Sequence, residues 1–224
     1  MMQLITRRPL PTIRAVLFDM DGLLVDSERL AQQSCLTAGR EMGYPIDERV
    51  TRKLLGCTHA ECARIISEAF PGIDTSQYFA RSKRALEAAF RKDLQAKPGA
   101  AAFARRLSAQ GIPYAIASSS SPDRIEESLA LSGLASLFPV RLTGDDVKHS
   151  KPEPDLFLAA AERLGVSPAD CLVLEDSVNG IKAGRAAESV VCMVPDLVPY
   201  SEALAPWCDA VASSLEELPG PFRF

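Results

Sequence analysis

Short, unbroken apolar runs alternate with amphipathic stretches along most of this chain. Four runs rich in β-formers or alanine stand out: Ala15–Phe18, Tyr114–Ala117, Cys171–Leu174 and Val190–Val194, with a weaker fifth near Val140–Leu142. Runs of this length without polar alternation suit strands covered on both faces, hence a parallel sheet between layers of helices. The intervening segments carry helical signals. Ala101–Gln110 is followed by Gly111, and Ser121-Pro122-Asp123 is a start signal for a helix with Ile125 and Leu129 on its apolar face. Asp155–Leu164 places Phe157, Ala160 and Leu164 on one face and stops at Gly165. Strands alternating with helices predict a doubly wound, Rossmann-like α/β core.

Residues 27–94 break that rhythm. They contain no convincing strand and read as successive helices over 28–42, 47–55, 58–69 and 75–94, punctuated by Gly43, Gly56 and Pro71-Gly72. Thr58 and Glu61 have the spacing of a capping box. The expected organisation is a core of residues 1–26 and 95–224 with an all-helical insert at 27–94. Such inserts act as lids or as rigid subdomains.

Composition narrows the classes. The chain has 224 residues, 24% charged and 47% hydrophobic, with a formal charge of −4. An acidic balance argues against nucleic acid as the main partner. The basic cluster Arg81, Lys83 and Arg84 has acids nearby and reads as a solvated helix face. Six cysteines are scattered without a CxxC pair and only two histidines are present, which disfavours a zinc site and suits a reducing compartment. The first residues, MMQLITRRPLPTIR, lack the apolar core of a signal peptide. No run approaches the ~20 apolar residues that cross a bilayer. The expectation is a soluble cytoplasmic protein.

The stretch AVLFDMDGLLVDSE places Asp19, Asp21 and Asp26 within eight residues, directly after a predicted strand. Ligands in α/β sheets bind beyond the carboxyl ends of strands, where Asp19 falls. Glu175 and Asp176 follow another strand in CLVLEDS. If the two strands are neighbours, the acids converge, and converging carboxylates are costly without a cation among them. Oxygen-only ligands favour Mg²⁺ over zinc. Ser118 would end a third strand just before a helix, where a hydroxyl and free amides suit phosphate. Lys151, between Ser150 and Pro152 ahead of a predicted helix, offers a fixed ammonium. Each residue alone also has a structural reading: Asp19 and Asp21 as turn caps, Ser118 as a turn residue, Lys151 as a surface lysine, Glu175-Asp176-Ser177 as a helix start. Their joint occurrence at strand ends is what points to phosphate chemistry.

These residues resemble the motifs of the haloacid dehalogenase-like hydrolases, in the group with a helical cap after the first strand that includes β-phosphoglucomutases and small-metabolite phosphatases. The first motif, DxDGxxxDSE, is matched by Asp19 through Glu28. The strand ending in Ser or Thr is matched at Ser118, the KPxP lysine at Lys151, and the acidic pair before SxxGI by Glu175-Asp176-Ser177-Val178-Asn179-Gly180-Ile181. The resemblance implies that Asp19 is the nucleophile forming an aspartyl-phosphate and that Asp21 protonates the leaving oxygen and then deprotonates water. It implies Mg²⁺ held by Asp19, the Asp21 carbonyl and Asp176, with Glu175 a ligand or an orienting residue. Ser118, the Ser119 amide and Lys151 are implied to hold the phosphoryl group of a small phosphorylated substrate, in a monomer or weak dimer.

Two departures stand out. The motif after Gly180 commonly ends Ala-Ala-Gly, whereas here Glu188 follows Ala186-Ala187, which suggests an altered turn into the last core strand. Mutase-like members carry an arginine in a GxSR segment, whereas this chain has Gly56-Cys57-Thr58-His59. An imidazole does not replace a bidentate guanidinium. The leading expectation is therefore a phosphatase acting on a sugar phosphate or nucleotide-like monophosphate. A sugar phosphomutase and a non-catalytic ligand-binding protein on the same scaffold are the alternatives. Glu28 and His59 are candidate substrate contacts from the insert.

Overall fold

The structure, a computed structural model, describes residues 3–5, 9–55, 57–220 and 222–224. Gly56, one of the expected helix punctuators, lies outside the described residues. The chain divides into two compact units, Met1–Val25 with Gln95–Phe224 and Asp26–Leu94.

The larger unit is built on a seven-stranded sheet. Its strands are β1 (Gln3–Leu4), β2 (Ala15–Phe18), β3 (Tyr114–Ala117), β4 (Arg141–Leu142), β5 (Cys171–Glu175), β6 (Val190–Met193) and β7 (Ala210–Val211), in the spatial order β1-β7-β6-β5-β2-β3-β4. All pairings are parallel except β1 with β7. The five runs read as strands are all present, and β5 extends one residue further to include Glu175. The two-residue strands β1 and β7 carry no signal in the hydrophobic pattern, because two residues are too few to establish a period.

Every residue of β2, β3, β5 and β6 is buried, as expected for strands covered on both faces. Phe18, at the end of β2, meets Phe103, Tyr114 and Phe138 edge to face, with ring centroids 5.4–6.1 Å apart. Aromatic pairs in this geometry add about 0.5–1.5 kcal/mol beyond burial. They fix the backbone immediately before Asp19. The flanking helices include α5 (Ala100–Ala109), α6 (Pro122–Leu131), α7 (Asp155–Leu164) and α8 (Val178–Ala186). α8 packs closely on the sheet because a Cβ at Gly184 would stand 2.9 Å from Val173 and 3.0 Å from Val191. Arg185 pairs with buried Asp209 at 3.0 Å, and Asp209 also accepts from the Val191 amide at 3.0 Å, tying α8 to β6 and to the residue before β7.

The smaller unit is all-helical: α1 (Ser27–Glu41), α2 (Glu48–Arg52), α3 (His59–Ala69) and α4 (Thr75–Asp93). Its core gathers Ala38, Ile46, Ile66, Ile73 and Tyr78. Glu61 accepts from the Thr58 amide at 2.8 Å and donates its own amide to Thr58 Oγ1 at 3.3 Å, completing the capping box. α2 is shorter than its sequence pattern suggests, ending at Arg52 with Lys53 as its cap and a turn beyond.

The turn after α8 carries Glu188: its amide donates to Arg185 O at 3.0 Å and the Ser189 amide to Gly184 O at 3.1 Å, the paired bonds of a Schellman stop. Glu188 itself adopts the left-handed conformation normally left to glycine, with φ 62°. A side chain there costs about 1–2 kcal/mol of steric strain, partly offset by the lower unfolded-state entropy of a non-glycine residue. Glu188→Gly is therefore expected to raise unfolding free energy by about 1 kcal/mol in urea titrations at unchanged m-value.

Candidate active site

The site is assembled by strand adjacency. β2 and β5 pair in parallel with Phe18 opposite Leu174, and the Asp19 amide continues the ladder by donating to Leu174 O at 3.0 Å. Asp19 is thereby set beside Glu175 and Asp176, although the sequence separates them by more than 150 positions. Carboxylate oxygens of the three residues lie within 4.8 Å of one another, and all three residues are buried.

Lys151 enters this group from the loop before α7. Its Nζ donates to Asp19 Oδ1 at 2.6 Å and to Glu175 Oε1 at 2.6 Å, and it stands 4.7 Å from the centre of the Phe157 ring. The second oxygen of Glu175 accepts from the Ser177 amide at 3.1 Å and the Ser177 hydroxyl at 2.9 Å. Gly180, in the first turn of α8, makes room for this carboxylate, because a Cβ there would fall 1.8 Å from its carbon and one of its oxygens.

The electrostatics follow from burial. Desolvation pushes the Asp19 carboxyl well above the usual carboxylate range, the charges of Glu175 and Asp21 add to this, and Lys151 opposes it. Burial by itself would weaken the Lys151 ammonium, but the two carboxylates more than reverse that and hold its pKa above the usual lysine value. Three acids around one ammonium leave a buried excess of negative charge. The donors are all oxygen, which fits a hard divalent cation.

Asp21 stands in a tight loop closed by Gly22 N to Val25 O at 3.0 Å and Leu24 N to Met20 O at 2.9 Å, with Gly22 at φ 80°. Asp21 Oδ2 accepts from Ser120 Oγ at 2.8 Å. Ser118 follows β3, the neighbour of β2 on the side away from β5, and its hydroxyl accepts from the Ser120 amide at 3.1 Å. Ser119 Oγ accepts from Ser150 Oγ at 2.8 Å, which ties the serine loop to the segment carrying Lys151. The structure thus brings together Asp19, Lys151, Glu175 and Asp176, with the Asp21 charge acting on Asp19 and Ser118 at the next strand end. Glu28 and His59 belong to the helical unit, where His59 is exposed and its ring lies 4.8 Å from that of Phe79. Asp26 pairs with Arg29 of its own helix.

Four residues of the site were not singled out by the sequence reading. Ser177 and Gly180 were visible only as motif letters, and Phe157 only as a core position. Ser120 is one of four consecutive serines, so nothing in the pattern separates its task from that of its neighbours.

A parallel α/β sheet bearing an acidic cluster with a shared lysine at its carboxyl edge defines a class of phosphate-handling hydrolase folds, and comparison with known proteins gives the family. The haloacid dehalogenase-like hydrolase model matches residues 13–188. A probable pseudouridine-5'-phosphatase of Drosophila melanogaster is 37% identical over 80% of this chain and 80% of its own length. A bifunctional riboflavin kinase/FMN phosphatase of Arabidopsis thaliana is 36% identical over 91% of this chain, which spans 54% of that longer protein. Among solved structures, a HAD family hydrolase of Deinococcus radiodurans, with bound phosphate and sodium, superposes with TM-score 0.84 at 30% identity, covering 92% of this chain and 93% of that one. The chain belongs to the haloacid dehalogenase-like hydrolases and is a phosphoric monoester hydrolase. Among the described residues no helix is long and apolar enough to cross a membrane.

Two outcomes follow from the packing and charge. Gly180→Ala forces the Glu175 carboxylate off Lys151 and Ser177, so hydrolysis of p-nitrophenyl phosphate should fall by about tenfold or more, as for other displaced site groups. Because the charged form of Asp19 is disfavoured in the folded state, the stability it costs appears as pH rises above the unfolded value of about 4. In metal-free buffer Asp19→Asn should therefore raise the melting temperature at pH 7, and the gain should vanish as pH falls below about 4.

Proposed function

We propose that the protein is a Mg²⁺-dependent phosphatase that hydrolyses a small organic monophosphate, a sugar phosphate or nucleotide-like ester, through an aspartyl-phosphate on Asp19. The observation that carries this reading is the Lys151 ammonium bridging Asp19 and Glu175 within a buried three-carboxylate group. Asp19 and Asp176, with the Asp21 carbonyl, are the proposed ligands. Glu175 is the orienting residue, because one of its oxygens is taken by Lys151 and the other by Ser177. When bound, Mg²⁺ supplies the positive charge that lets a carboxylate approach a phosphate dianion.

The chain's own groups perform the steps. Asp19 attacks phosphorus while the ester oxygen departs, and Asp21 gives that oxygen its proton. Water then attacks the aspartyl-phosphate, Asp21 takes its proton, and inorganic phosphate leaves with the Asp19 carboxylate restored. Ser118, the Ser119 amide and Lys151 hold the equatorial oxygens during both transfers, where preorganised donors act most strongly. The helical unit is assigned the role of a cap that selects the substrate, with Glu28 and His59 as its candidate contacts. The two named relatives, an FMN phosphatase and a probable pseudouridine-5'-phosphatase, support a nucleotide-like ester, while the motif resemblance supports sugar phosphates equally. The Thr58-His59 pair in place of Ser-Arg speaks for transfer to water rather than mutase chemistry.

Phosphate release from p-nitrophenyl phosphate should require Mg²⁺ and cease in EDTA. Asp19→Asn should abolish it, and a panel of sugar and nucleoside monophosphates should reveal the preferred ester. Full activity in Asp19→Asn would remove the nucleophile assignment.

A further inference from the structure

We infer that Ser120 is the positioning residue for proton transfer by Asp21, fixing the orientation of its carboxyl group toward the ester. This rests on the assignment of Asp21 as the proton donor made above. Ser120 Oγ donates to Asp21 Oδ2 at 2.8 Å, although the two residues are 99 positions apart. The terminal torsion of a carboxyl-bearing side chain is broad and nearly two-fold, so an aspartate without an anchor samples many orientations. A general acid works only when one oxygen stands within hydrogen-bond reach of the atom that takes the proton. With Oδ2 held by Ser120, the carboxyl keeps one orientation as it gives a proton to the leaving group and later receives one from water.

The hydroxyl can serve as an anchor because Ser120 is itself immobilised from two sides. Its amide donates to Ser118 Oγ at 3.1 Å, and its carbonyl accepts from the Gly144 amide at 3.2 Å. The turn that supplies Gly144 is closed by its own capping box, in which Asp146 Oδ2 accepts from the Thr143 amide at 2.8 Å and the Thr143 hydroxyl at 2.9 Å. Gly144 allows the close approach, since a Cβ there would lie 2.6 Å from Ser119 O. The serine run is therefore divided by task. Ser118 and Ser119 are assigned to the phosphoryl group, whereas Ser120 serves the proton.

The distinction has a kinetic signature. Protonation matters little when the departing group is a stable phenolate and greatly when it is a basic alkoxide. kcat/KM should be measured with p-nitrophenyl phosphate, phenyl phosphate and glycerol 2-phosphate for the parent, Ser120→Ala and Ser120→Thr, in Mg²⁺. General acid assistance contributes about 10²–10⁴-fold, so Ser120→Ala should lose about twofold or less on p-nitrophenyl phosphate and about tenfold or more on the other two esters. Ser120→Thr keeps the hydroxyl and should keep the parent's dependence on leaving group. Equal losses on all three esters, or a threonine variant as selective as the alanine one, would overturn the inference. Failure of the underlying function looks different: Asp19→Asn would then retain the parent's rate on every ester, whereas failure of the Ser120 role alone leaves Asp19→Asn inactive.

Discussion

One buried ammonium shared by two carboxylates governs this site. Lys151 is within 2.6 Å of both Asp19 and Glu175, and Asp176 adds a third acid to the same space. Buried like charges repel strongly and lose hydration, and a single cation balances only part of the debt. The remaining negative charge and the all-oxygen donor set fit a further hard cation, as the proposed function requires. The same imbalance explains why Asp19 resists ionisation in the folded chain while Lys151 holds its proton firmly.

The rest of the larger unit serves to keep these charges in place. Register is the first requirement, since a one-residue slip between β2 and β5 would turn Asp19 or Glu175 to the opposite face. The pairing of Phe18 with Leu174, and the aromatic cluster around Phe18, resist such a slip. Close helix packing is the second. α8 begins with Ser177 bonded to Glu175 and contains Gly180 pressed against its carboxylate, so the helix both orients the acid and depends on a residue with no side chain. Phe157 of α7 then closes the remaining side of Lys151 with a ring face instead of another charge.

The two departures from the family pattern fall at the end of α8 and at the start of α3. Glu188 stands where the motif commonly has glycine, and it takes the left-handed, strained position of a Schellman stop. His59 stands where an arginine clamp is found in mutase-like members, and its ring packs beside Phe79 within the helical unit. No such liberty is visible among Asp19, Asp21, Ser118, Lys151, Glu175 and Asp176, each of which keeps the residue type its proposed role demands.

The parallel strands, the helical insert and most of the chemical residues were legible in the sequence. Hydrophobic runs, capping signals and charged clusters after strands are local features, and local features survive in one dimension. Asp19, Lys151 and the Glu175-Asp176 pair could be picked out because charge at the end of an apolar run is conspicuous. Their meeting could not be, since it depends on β2 lying beside β5, a choice made by long-range pairing. For the same reason the sequence leaves Glu175 open between ligand and orienting residue, and the contacts of its two oxygens with Lys151 and Ser177, which support the orienting role, exist only in the fold. The four serines after β3 are identical in one dimension. What distinguishes Ser120 is the direction its hydroxyl takes once a turn from another strand has fixed its backbone, and direction is a property that only packing confers.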